Sequence, residues 1–246
     1  MTRFLIGIDD TDNLESRGTG HRARQLAQTL EAAGHITVEG ITRHQLLVDP
    51  RIPYTSHNSS ACLLAEFANE ALTEVKGLAR DFLQRESAPG SDAGLCVAAW
   101  KAVTTEIQTF GQRAKAEVLT QAEAVSLAEH AGIYLEGLTG TGGGILGALA
   151  AVGLRVAGND GRFLWLRGLR ELSGIYAARQ LCALVKIDSI ETEAGLPVPL
   201  DAQIDIGDWV RPMMRGGRTV LIVQEADHVE YDWCVAPKER IKQLTN

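Results

Sequence analysis

A short apolar strand that runs directly into acid constrains this chain more than any other feature. Phe4-Leu5-Ile6-Gly7-Ile8 is followed at once by Asp9-Asp10-Thr11-Asp12-Asn13. Five consecutive apolar or glycine residues suit a strand buried on both faces, as a parallel or mixed sheet requires. Three carboxylates within four residues at its C-terminal end repel one another and raise one another's pKa. A divalent cation relieves that repulsion, and magnesium takes one or two carboxylates while substrate phosphates fill its other positions. The plainer reading is a solvated acidic turn in which Asp12 or Asn13 caps the next element. Ligand sites nevertheless favour the C-terminal ends of such strands.

With 246 residues the chain can bury one good core, or one core with a small satellite. An apolar fraction of 45% and a charged fraction of 22% belong to an ordinary globular protein rather than a disordered one. The net charge of -7 argues against a uniformly basic nucleic-acid binder. Cys62, Cys96, Cys182 and Cys234 are scattered with no C-x-x-C pair, which fits reduced thiols and a cytoplasmic location. No signal peptide or membrane span is expected, because Asp9 interrupts the N-terminus before any long apolar run.

Strand, polar glycine loop and helix succeed one another at the N-terminus. Gly18-Thr19-Gly20-His21 precedes a helical face of Ala23, Leu26, Ala27 and Leu30, an arrangement suited to an anion at the helix N-terminus. Short strands are expected at 36–38 and 45–48. A long polar loop then runs from Asp49 to Ser60, and loops of that length are often functional. Ala61 to Phe67 and Gly94 to Trp100 read as strands, with a helix capped by Asn69 between them. Thr120 with Glu123 makes a capping box. A second glycine loop, Gly140-Thr141-Gly142-Gly143-Gly144, opens into a helix of small residues. Composition shifts after Arg170. The expected fold is therefore α/β: a mixed-sheet domain with flanking helices over 1–170, and a small C-terminal β-rich unit over 171–246.

Gly142, Gly144 and Gly147 satisfy G-x-G-x-x-G, but the motif lies late in the chain and no acidic residue ends the following strand, so a dinucleotide site is disfavoured. Two readings of the glycines stay open: N–H donors for phosphate, or close packing of the helix on the sheet. Asp10-Thr11-Asp12 also matches the D-x-D of aspartate-nucleophile phosphatases, with Asp10 as nucleophile and Asp12 as acid, but Leu14 and the missing later lysine disagree with that pattern. His21, His44 and His57 match no zinc spacing. Arg211, Arg215 and Arg218 around a Gly-Gly turn either hold an anion or blunt a strand edge.

Four stretches in order resemble one family: Gly7-Ile8-Asp9-Asp10-Thr11-Asp12, Arg51-Ile52-Pro53-Tyr54, Ser91-Asp92-Ala93-Gly94-Leu95, and Gly143-Gly144-Ile145-Leu146-Gly147 with the small residues after it. The chain is similar, over about 1–170, to the kinase-like catalytic domain of archaeal isoleucine-tRNA agmatinylcytidine synthetases. The resemblance implies a domain that binds ATP and Mg2+ and phosphorylates a carbonyl oxygen so that an amine can displace the phosphate. It implies Asp9, Asp10 and Asp12 as metal and phosphate carboxylates, and Gly143, Gly144 and Gly147 as part of the nucleotide loop. Where the family has a threonine pair, this chain has Gly18-Thr19-Gly20-His21-Arg22, and His21 stands in that place. The family continues into an OB-fold and a Cys-rich zinc ribbon, and neither is expected here.

The combined expectation is ATP- and magnesium-dependent phosphoryl transfer, or ligase-type activation, of a small-molecule acceptor. Asp9, Asp10 and Asp12 would be metal-binding and catalytic, and His21 and Arg51 catalytic, with Arg22 and Arg43 as further charge stabilisers. Gly18, Thr19, Gly20, Thr141, Gly142, Gly143, Gly144 and Gly147 would bind nucleotide. The missing tRNA-reading parts and the acidic charge argue against tRNA as substrate. Exposed apolar surface on the C-terminal unit would make a homodimer. The alternatives are a non-catalytic nucleotide or metabolite binder and an aspartate-nucleophile phosphatase.

Overall fold

A computed structural model describes residues 1–52 and 57–246. The chain divides into two compact units, Met1–Ala157 and Gly158–Asn246. The composition shift at Arg170 comes later than this division, because the strand at Arg162–Leu166 already pairs within the second unit.

The first unit runs β1 (Thr2–Asp9), α1 (Thr19–Glu31), β2 (Thr37–Gln45), β3 (Ser59–Phe67), α2 (Leu72–Glu86), β4 (Gly94–Ala99), α3 (Thr105–Arg113), α4 (Gln121–His130), β5 (Tyr134–Gly137) and α5 (Ile145–Ala157). Its strands lie in the order β5-β4-β1-β3-β2. β1 is central and buried from Phe4 to Ile8, as its composition predicts. The pairing is not parallel: β1 with β3 and β4, β2 with β3, and β4 with β5 are all antiparallel. Burial on both faces comes instead from helices on each side. Leu5, Cys62, Leu64, Cys96 and Ala98 form one face and pack under α3, α4 and α5. The alternate residues Phe4, Ile6 and Ile8 are equally buried, toward α1 and α2. In place of the two short strands expected at 36–38 and 45–48 there is one nine-residue strand, β2, which ends at Gln45 and leaves 46–48 outside it, with an irregularity between Val38 and Gly40.

α5 is buried along almost its whole length, as a helix of Ala, Leu, Val and Gly must be. It approaches β1 so closely that a Cβ at Gly7 would overlap the Ala148 carbonyl oxygen. That approach sets the depth of everything at the C-terminal end of β1. Half of the capping box at Thr120 forms: the Glu123 N–H donates to the Thr120 hydroxyl at 3.3 Å, while the Glu123 carboxylate pairs with Arg113.

In the second unit, β6 (Arg162–Leu166), β7 (Ile175–Ala177), α6 (Ala178–Leu184), β8 (Ser189–Thr192), β9 (Gln203–Asp205), β10 (Met213–Arg215), β11 (Arg218–Glu225), β12 (Trp233–Val235) and α7 (Lys238–Thr245) build a mixed sheet with flanking helices. β11 is its axis. β8 runs parallel along one edge of it, while β10 and β12 pair antiparallel along the other. The basic C-terminal tail is α7, whose Ile241 packs on Met213, Val220 and Ile222. Arg215 and Arg218 do not form an anion site. Both pair with the buried Glu191, at 3.7 and 2.9 Å, while Arg211 lies over Trp209 and donates to the Val210 carbonyl. Among the described residues no helix is long and apolar enough to cross a membrane.

Candidate functional site

β1 delivers Asp9 in register with Gly94 of β4, directly beneath the first turn of α5. A Cβ at Gly147 would overlap the Asp9 carboxylate, and one at Gly144 would meet the Asp92 carbonyl oxygen at 2.6 Å. These two glycines are therefore required for close packing, and the packing reading of the motif is correct for them. Gly143 is different: the space its Cβ would occupy is open apart from Thr141 Oγ1 at 3.6 Å and the Asp92 side chain at 3.8 Å.

Two of the carboxylates are harder to ionise than a free one. Burial first, then Asp10 and Asp12, pushes Asp9 up to about 8, although the Asp10 N–H donates to it. Burial first, then Asp92 and Asp12, raises Asp10 to about 6, against an N–H donated by Asp92. Asp10 also has a positive φ of 50°, a conformation that Asp and Asn adopt more readily than most residues.

The other two aspartates are occupied by the loops. Asp12 Oδ1 accepts from the Thr19 N–H at 3.0 Å and from the Thr19 hydroxyl at 2.8 Å. Thr19 in turn receives bonds from the Thr11 N–H and hydroxyl. Thr19→Val removes this buried hydroxyl from between Thr11 and Asp12, and urea titration should show a loss of about 1–2 kcal/mol. Asp92 repeats the pattern: its carboxylate accepts from the Thr141 N–H and, at 3.0 Å, from the Thr141 hydroxyl. Among the described residues no three His, Cys, Asp or Glu side chains form a group that could hold a metal ion. Asp9, Asp10 and Asp12 are thus not a three-carboxylate cage, because Asp12 turns Oδ1 to Thr19.

A cleft of about 240 Å³ joins the parts. It is lined by Asp9, Asp10, Asp12, Asp92, Thr19 and Thr141 with Gly143, Gly144 and Gly147. Leu46, Ile52, Ala114, Val118, Leu119 and Leu146 add apolar surface, and His57, Asn58, Ser59, Glu117 and Gln121 further polar groups. No Lys or Arg lines it among the described residues.

Several predicted residues lie outside this cleft. Gly18, Gly20, His21 and Arg51 do not line it, and Gly142 lines a neighbouring polar depression with Gln121 and Thr139. His21 follows Thr19 by two helical positions, roughly 200° around the axis, so it cannot share the inward direction of Thr19. Partial burial and then Arg17, Arg24 and Arg22 hold its imidazole below the usual range. Arg51 is exposed and forms a fork with the Asp49 carboxylate at 2.8 and 2.7 Å. Arg22 donates to Gln25 and Arg43 to Gln45. The Pro53-Tyr54 part of the second motif lies outside the described residues.

Sequence reasoning gave no role to Asp92, although it stands in one of the four ordered motifs. It also missed the apolar wall at 114–119. α3, which leads into that wall, carries Ile107, Phe110 and Gly111 inward, and that spacing was the available signal.

No protein-family model matches this chain, and no curated protein does. Solved structures do. TiaS in complex with an isoleucine tRNA and ATP superposes with a TM-score of 0.54 at 24% identity, over 62% of this chain and 36% of that one. A tRNA fluorescent labelling enzyme gives 0.53 at 25% identity, over 61% and 36%. Apo TiaS, a tRNA agmatidine synthetase, gives 0.52 at 24% identity, over 61% and 35%. The chain thus spans little more than a third of the length of these proteins. Over 62% of its own length it has the TiaS-like fold that its ordered motifs implied.

Proposed function

We propose that the cleft binds a nucleoside triphosphate, ATP in the first instance, together with magnesium, and that the first unit uses it to activate a small-molecule acceptor by phosphoryl transfer or a ligase-type step. The observation that carries this reading is the shared cleft between the acidic turn after β1 and the glycine loop before α5. A polyphosphate there would face the Gly143 backbone and the N-terminal turn of α5, whose partial positive charge favours anions.

Asp9 and Asp10 fit a cation because each is raised in pKa by burial and by neighbouring carboxylates, a repulsion that a bound cation removes. Two carboxylates are also the usual number for magnesium, with phosphate oxygens completing its shell. Held by Asp9 and Asp10, the ion would offset the negative charge of the phosphates and of the transfer step. The lack of Lys and Arg along the described walls supports this dependence, since nothing cationic in the side chains offsets a polyphosphate. Leu46, Val118, Leu119 and Leu146 would cover an apolar part of the ligand such as the base.

TiaS has been solved with AMPCPP and agmatine. An amine acceptor suits the acidic lining of this cleft, whereas tRNA would meet a chain of net charge -7. Neither His21 nor Arg51 lines the cleft, which favours a second reading, nucleotide binding without turnover. The phosphatase reading is set aside, since Asp12, cast as its acid, is engaged by Thr19.

Thermal melts with a nucleotide panel test the proposal. ATP with magnesium should stabilise the protein, and ATP with a chelator should not. No shift with any magnesium nucleotide would end the nucleotide reading. A shift without phosphate or ADP release across a panel of amines would leave the non-catalytic binder.

A further inference from the structure

We infer that Asp92 is a positioning residue that clamps the glycine loop to the acidic turn, and that it is not itself a ligand for anything held in the cleft. Asp92 sits in the segment that leads into β4, and it is tied to the glycine loop and to the acidic turn by three different groups. Its carboxylate accepts the Thr141 N–H and hydroxyl. Its carbonyl oxygen accepts the Gly144 N–H at 2.8 Å, just before α5 begins. Its own N–H donates to the Asp10 carboxylate. The residues on either side strengthen the tie: the Ala93 N–H donates to the Thr139 hydroxyl at 2.8 Å, which donates to the Ser91 carbonyl at 2.7 Å.

The loop needs such a clamp. Gly140 and Gly142 both have positive φ, at 55° and 72°, so the segment has little intrinsic preference for the shape it adopts. A carboxylate that accepts an N–H and a hydroxyl from one threonine fixes both the backbone and a side chain of that segment. The same device recurs at the acidic turn, where Asp12 accepts the N–H and hydroxyl of Thr19. Four aspartates thus divide into two that hold loops, Asp12 and Asp92, and two, Asp9 and Asp10, whose carboxylates no threonine among the described residues engages. The consequence for affinity rests on the nucleotide reading above, whereas the clamp itself does not.

Asparagine separates the two roles. Asp92→Asn keeps an oxygen for the Thr141 N–H and can donate to the Thr141 oxygen, so it preserves a clamp but not an anionic ligand. Asp92→Ala preserves neither. Amide hydrogen exchange of residues 139–144, measured without ligand, should accelerate at least about tenfold in Asp92→Ala and stay within about threefold of wild type in Asp92→Asn. Magnesium-ATP affinity from calorimetry should follow the same order, with a loss of roughly tenfold or more only in the alanine variant. Thr141→Val, which keeps the N–H and loses the hydroxyl, gives a milder second variant and should fall between them. Unchanged exchange in Asp92→Ala overturns the clamp. An Asp92→Asn protein that binds as weakly as Asp92→Ala, with normal loop exchange, overturns it in favour of a direct ligand. If wild type binds no magnesium nucleotide, the exchange experiment still decides the clamp while the nucleotide reading falls alone.

Discussion

Asp10→Asn is expected to raise the ligand-free melting temperature at pH 7.5 and, in the same protein, to abolish magnesium-dependent stabilisation by ATP. Both effects follow from one carboxylate. Its pKa in the folded protein is raised from 3.8 to about 6 by burial and by Asp92 and Asp12, so the folded state holds its proton more tightly than the unfolded chain. Stability therefore falls as pH rises from about 4 through about 6, and the ionised group is a cost above that. A shift of this size is roughly 3 kcal/mol undiscounted. Screening at a partly exposed group reduces it to about 1–2 kcal/mol, or a few degrees in melting temperature. Asparagine suits the positive φ at this position and retains an acceptor for the Asp92 N–H. Melts of both proteins between pH 4 and 8 should converge at the acid end and separate above pH 6. A variant that is less stable than wild type at pH 7.5, or that keeps the nucleotide shift, would contradict this assignment.

Gly7→Ala should produce the largest loss of stability, about 3 kcal/mol, because the added methyl meets backbone rather than a mobile side chain. It would overlap the Ala148 carbonyl oxygen and lie 3.0 Å from both the Ala148 carbonyl carbon and Val152 Cγ2. Relief requires α5 to lift from β1. That movement would also withdraw Gly147 from Asp9 and open the cleft. In chemical denaturation the midpoint should drop sharply, and the melting temperature should fall by roughly 6–12 °C. Gly77→Ala is the matched control: it lies in α2 with nothing within 4 Å of its Cβ, so it should be neutral or stabilising by up to about 1 kcal/mol. Equal losses in the two variants would mean that the close approach of α5 does not govern the first.

Local chemistry made much of this molecule legible. The Thr120 cap, the helix of small residues after Gly144, and the burial of Phe4 to Ile8 depend on short-range patterns that tertiary structure had no reason to override. The direction of strand pairing was not legible, because a run buried on both faces is compatible with either direction once helices cover both sides. Arg51 was chosen by chemical type alone, and His21 for its place in the family's pattern. A helical residue two positions on from Thr19 points elsewhere, and an arginine beside Asp49 finds a nearer carboxylate.

Sequence alone determined that a buried strand ends in acid near the N-terminus, that two loops bear threonine and glycine, and that a helix of small residues comes after the second of them. Only the tertiary structure decided which glycines serve packing and which aspartates bond to the loops. The physical reason is distance along the chain. Asp9, Asp92 and Gly147 are separated by long intervals of sequence, and their relation exists only because β1, the turn before β4 and the first turn of α5 are packed into contact.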